Sequence, residues 1–155
     1  MNLLHRAVRA AMMILMVAMV ASVILQVALR YLTYQPIAWT EELSRYVFVW
    51  LALLGAGEAA RQAAHFSVDL LPSRLSGAKG RIIRAALLLV ETGLYLVVAW
   101  SGLQLLPIVS TQHSVTLGVP LSVVYLAIPA GFGLMAFNTF CRSMKQLVVK
   151  EASAP

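Results

Sequence analysis

The sequence predicts an all-α polytopic membrane protein of four transmembrane helices, and three observations carry that prediction. Of its 155 residues, 61% are hydrophobic and 12% are charged, against ~25% charged in an ordinary soluble domain. The apolar residues fall into four blocks, and a helix needs ~20 of them to cross a bilayer. Lys and Arg collect at the block ends that would share one side of a membrane. Four spans and short connections use nearly the whole length, so residues 1–155 read as a single membrane domain with spans at about 10–30, 41–60, 85–106 and 121–141.

The first span is the clearest. Residues 10–29 run uninterrupted between Arg9 and Arg30, with only Ser22 and Gln26 as polar members, and at a rise of ~1.5 Å per residue they cover roughly 30 Å. A secretory signal peptide is the competing reading, because Arg6 and Arg9 precede an apolar run that contains small residues at 18–21. The apolar region of such a signal is usually only about 7–15 residues long, so cleavage is not expected.

The second span is less clean. The charge-free stretch 46–57 is too short to cross, so this helix must carry Glu41, Glu42 and Arg45, or else Glu58, toward the membrane. The third span contains Glu91, and the fourth contains Pro129, which removes a helical hydrogen bond from the carbonyl of Tyr125 and predicts a bend. Thr40, Pro107 and Pro120 read as boundary residues.

Orientation follows from the bases. Arg6 and Arg9, then Arg61, Arg74, Lys79, Arg81 and Arg84, then Arg142, Lys145 and Lys150 fall on one side, and only Arg30 and Arg45 on the other. The positive-inside rule therefore puts both termini and the middle loop in the cytoplasm. Tyr31, Tyr34, Trp39, Trp100 and Tyr125 then fall near the outer interface. Part of the middle loop is expected to lie as an interfacial helix in the cytoplasmic surface, with His65 and Asp69 paired at i and i+4.

Several function classes are excluded. A net charge of +6 spread through apolar segments does not form a nucleic-acid face. One cysteine, Cys141, and three widely spaced histidines, His5, His65 and His113, suggest no metal site, and no cofactor is expected. No nucleophile–base set, glycine-rich phosphate loop or pair of catalytic carboxylates occurs, so enzyme activity is not expected.

Three polar features remain. Trp39, Glu41, Glu42 and Arg45 open the second helix, with the acids where the helix dipole favours them and the base one turn on. They read either as a self-neutralised helix start or, together with Arg30, as a charged outer docking site for another protein. Glu58 lies one turn before Arg61 and reads first as half of an intrahelical ion pair. Glu91 sits about two turns inside the third span with its nearest same-helix base, Arg84, two turns away. It reads as a coupling carboxylate, as a protonated group or, with more weight, as a structural contact to a helix or subunit. Gly55 and Gly57, with Gly131 and Gly133, mark faces where helices can approach closely.

Taken in order, these residues resemble the small membrane (Q-type, DctQ-like) subunit of tripartite ATP-independent periplasmic (TRAP) transporters. The likeness rests on Arg30-Tyr31, on Trp39-Thr40-Glu41-Glu42 with Arg45-Tyr46, and on Phe48 and Trp50 before Gly55. It continues through His65, Val68 and Asp69, and through Leu117-Gly118-Val119-Pro120 with Tyr125 and Pro129. The resemblance implies a non-catalytic scaffold, in the bacterial inner membrane, that pairs with a much larger subunit holding the sodium and substrate sites. It also implies a periplasmic binding protein that delivers an organic acid to the outer face. Two alternatives stand beside it: a stand-alone small proton-coupled exporter using Glu91, and an accessory subunit of another membrane complex. Adjacent genes for a large membrane protein and a secreted binding protein would favour the first reading.

Overall fold

The computed structural model describes residues 2–33, 38–62 and 78–151. His65, Val68, Asp69 and the expected interfacial helix lie outside the described residues. Five helices account for most of what is described: α1 (Asn2–Thr33), α2 (Ala38–Gln62), α3 (Ala78–Val109), α4 (Ser122–Tyr125) and α5 (Ala127–Glu151). Among the described residues four segments are long and apolar enough to cross a membrane, namely Leu3–Leu32, Ala38–Arg61, Ala86–Val109 and Ser122–Cys141. The last joins α4 to α5, and the protein is therefore a multi-pass, all-α membrane protein.

The helices run past the sequence-expected spans for identifiable reasons. Helices α1 and α3 each reach 32 residues, extending past the apolar blocks through Arg6 and Arg9 at the start of α1, Arg30 in its last turn, and Lys79, Arg81 and Arg84 at the start of α3, where headgroups and water replace hydrocarbon. Helix α2 starts at Ala38, which places Thr40 inside the first turn rather than before it. Pro107 lies inside α3 near its end, and the helix closes at Val109. In the fourth span α4 gives way to α5 at Leu126, three residues before Pro129, although Leu126 keeps helical backbone angles.

The main helix pairings are α1 with α2, α2 with α5, and α5 with α3. The fourth span is thus the centre, flanked by α2 and α3, and α1 lies against α2 at the margin. Burial follows the same order, at 6% of the first span and 39% of the fourth. The described core is Leu134, Met135 and Ala136 of α5, with Ala127 at its start and Leu88, Ala99 and Val109 from α3.

Small residues decide which faces meet. A Cβ on Gly131 would stand 2.8 Å from Leu53 Cβ and 2.9 Å from Leu53 O, so α5 and α2 touch backbone to backbone there. One on Gly57 would meet Leu134 Cδ2 at 2.7 Å, and one on Gly102 would meet Ile128 Cγ2 at 3.0 Å and Pro129 Cδ at 3.1 Å. Where lipid is as apolar as leucine, association depends on such close contact and on interhelical hydrogen bonds. Buried Asn138 supplies one of the latter, donating its Nδ2–H to the carbonyl of Gly57 at 2.9 Å. The indole of Trp50 donates to Val123 O at 3.1 Å, tying α2 to α4. At the margin, the hydroxyls of Ser22 and Ser44 lie 2.9 Å apart, joining α1 to α2.

Candidate functional site

At the end of the bundle where α2 begins, the two neighbouring glutamates have different surroundings. Glu41 forms an exposed pair with Arg45 at 3.0 Å, as the one-turn spacing predicts, and Trp39 is also exposed beside it. Glu42 turns toward the loop between α3 and α4. Its Oε2 accepts the backbone N–H of Thr116 at 3.1 Å and that of Leu117 at 3.3 Å, together with the Thr116 hydroxyl. Its Oε1 accepts the Tyr46 hydroxyl at 2.5 Å. Four donors converge on one carboxylate, so Glu42 fastens two segments 74 residues apart. Arg30 is exposed at the end of α1 and forms no ion pair among the described residues.

The loop that Glu42 holds has its own architecture. His113 and Pro120 form an isolated antiparallel bridge. The N–H of Ser114 donates to Val119 O at 2.8 Å and that of Leu121 to Gln112 O at 2.9 Å. The chain reverses through Gly118, at φ 66°, a left-handed conformation that only glycine adopts without cost. Ser114 is buried, and its Oγ accepts the N–H of Leu117 at 3.1 Å.

At the opposite end, Glu58 is only 3% exposed. It accepts from Arg61 Nη2 at 2.6 Å and Nε at 3.0 Å, the expected intrahelical pair. It also meets α1: Arg9 Nε stands 3.8 Å from Oε1, and His5 Nδ1 stands 3.2 Å from Oε2. The His5 approach has the distance of a hydrogen bond without its alignment, so it acts as a close electrostatic contact. His5 and Arg9 were missed as partners of Glu58 because arginines near a membrane end read first as topology signals. Their spacing of four residues, one helical turn, was the available clue.

Glu91 is half-buried on α3, where Tyr95 donates its hydroxyl to Oε1 at 3.0 Å. Oε2 has no hydrogen bond among the described residues. The Tyr95 ring packs at 6.2 Å from Phe132 of α5, so Glu91 stands at the flank of the α3–α5 seam. Exposed Leu87 and Leu94, one turn to either side, continue that flank. Of the glycines singled out by sequence, Gly57 and Gly131 sit in close helix contacts, a Cβ on Gly55 would meet Met12 at 3.7 Å, and Gly133 has open space around it. Gly102 was overlooked, because nothing in α3 around it resembles the small-residue runs of α2 and α5. Among the described residues no His, Cys, Asp and Glu group has the arrangement of a metal site.

Residues 19–148 match the family model described as "Tripartite ATP-independent periplasmic transporters, DctQ component". The chain is 33% identical over 106 residues to the C4-dicarboxylate TRAP transporter small permease protein DctQ of Rhodobacter capsulatus, covering 66% of this chain and 46% of that protein. It is 28% identical over 128 residues to the sialic acid TRAP transporter small permease protein SiaQ of Vibrio cholerae, covering 80% and 72%. Against the isethionate TRAP transporter permease protein DctMQ of Oleidesulfovibrio alaskensis, identity is 32% over 104 residues, covering 63% of this chain and only 16% of that protein. The family model covers most of the chain, and the chain belongs to the DctQ family, the non-catalytic small permease component of TRAP transporters.

Proposed function

We propose that this chain is the fixed small subunit of a sodium-driven, binding-protein-dependent transporter, pairing with a large transport subunit in the bacterial inner membrane with both termini cytoplasmic. The observation that carries the reading is the exposed flank of α3, where a half-satisfied Glu91 lies between apolar residues. A carboxylate at that depth is costly in lipid, and a protein neighbour that donates to Oε2 removes the cost. Family membership supplies the class of neighbour. The small relatives are named for C4-dicarboxylate and sialic acid, and the larger one for isethionate, all of them organic acids. An organic acid is accordingly the proposed substrate, recognised by other chains.

The second element of the proposal is an outer collar of Trp39, Glu41, Arg45 and Arg30 that meets a soluble substrate-binding protein. Co-purification in mild detergent tests the first element: this chain, tagged, is expected to bring down a large membrane transport subunit at a fixed ratio. Elution of this chain alone would sink the pairing. Reversing Glu41 and Arg45 separately is expected to weaken uptake driven by the binding protein while the membrane pair stays assembled.

A further inference from the structure

We propose that the hairpin formed by residues 113–120 is a docking element for the soluble substrate-binding protein, and that Glu42 is the positioning residue that fixes its pose. The inference rests on the reading above and moves its centre from the charged helix start to the loop beside it.

The first ground is the way the loop is held. A connection from α3 to α4 needs only to reverse the chain, yet this one is closed by the His113–Pro120 bridge, turned at Gly118 and bound at its far side to Glu42. Fixing a loop before binding removes part of the ordering cost of association. The second ground is what the loop presents. Val115 is 96% exposed, at the tip next to the residues that Glu42 grips. Its neighbours His113, Ser114 and Thr116 are polar, which opposes burial of this tip in hydrocarbon. Val115 is the strongly exposed large apolar side chain of this loop, between exposed His113 and Thr116, and such a projecting side chain on a held loop is suited to a pocket on a folded protein.

The third ground is location. Glu42 stands in the first turns of α2, so the hairpin it holds lies at the same end of the bundle as the exposed Glu41–Arg45 pair and Trp39. The positive-inside arithmetic puts that surface outside, where a soluble delivery protein approaches. Glu42 itself does not contact the partner: its oxygens are taken by the loop and by Tyr46. Its role is to hold Val115 in place.

The test uses the full membrane pair in nanodiscs and the soluble substrate-binding protein of the same transporter, with affinity read by biolayer interferometry. Val115→Asp changes a fully exposed tip, so assembly of the pair is unaffected, and binding is expected to weaken by about tenfold or more, as for a central interface residue. Glu42→Ala is expected to weaken it comparably, and Glu42→Gln, which keeps one of the two acceptor oxygens, by less. A photo-crosslinker at position 115 is expected to capture the binding protein. Wild-type binding with unchanged affinity in Val115→Asp and Glu42→Ala would overturn the docking hairpin and leave the subunit reading intact. Capture of lipid or of the large subunit from position 115 would also overturn it. A wild-type pair that does not assemble would instead overturn the subunit reading, and the hairpin proposal with it.

Discussion

Gly131 and Gly133 lie two residues apart on α5, and adding one methyl group to each should have opposite consequences. In Gly131→Ala the new Cβ would stand 2.8 Å from Leu53 Cβ, 2.9 Å from Leu53 O and 3.1 Å from Leu53 C. Two of those atoms are backbone, so no rotamer change relieves the contact, and α2 and α5 must part by roughly 0.6–0.7 Å to reach the ~3.5 Å of comfortable contact. Overpacking of this kind costs about 1–3 kcal/mol. The separation also strains the nearby Asn138 to Gly57 hydrogen bond, worth about 0.6 to 1.7 kcal/mol in a membrane protein. Against this stands the gain of replacing glycine by alanine within a helix, about 0.5–1 kcal/mol. Gly131→Ala should therefore destabilise by about 1–2 kcal/mol net. Gly133→Ala, with nothing within 4 Å of its Cβ, keeps only the gain. Unfolding of the purified protein in mixed micelles by added SDS, followed by tryptophan fluorescence, measures both. Equal shifts in the two variants would refute the assignment of the α2–α5 seam to Gly131.

Two further outcomes are expected. Glu58→Gln leaves the bases of α1 and Arg61 without their shared anion, so α1 should hold less firmly to α2; the yield of a Met12→Cys to Gly55→Cys cross-link in a Cys141→Ser background reads this, and an unchanged yield would count against the cluster as a clamp. Glu91→Gln keeps the oxygen that accepts from Tyr95 and should retain most sodium-dependent uptake, whereas Glu91→Leu should reduce co-purification with the large subunit. Loss of ion coupling in an assembled Glu91→Gln pair would contradict a structural role for Glu91.

Hydropathy alone located the four membrane-crossing segments, because a bilayer imposes a length and polarity requirement that each segment meets by itself. Local spacing likewise determined the pairs within one helix: Glu41 with Arg45 and Glu58 with Arg61 are one turn apart, and both form. Family membership was legible too, since it depends on the order and spacing of residues along the chain.

The partners of the polar residues across helices were decided only by the tertiary structure. Glu41 and Glu42 are indistinguishable neighbours in sequence, and helical geometry points them about 100° apart, so one meets Arg45 and the other the Thr116–Leu117 backbone. Glu58 gathers His5 and Arg9 because α1 packs beside α2, a pairing that no local pattern specifies. The same holds for the glycines: a Cβ on Gly131 would meet Leu53 and one on Gly133 would meet nothing within 4 Å, although both sit in one run of small residues. Sequence determines which segments enter the membrane, because each is weighed against lipid alone. Which faces meet depends on contacts between segments far apart in the chain, and those exist only once the bundle has formed.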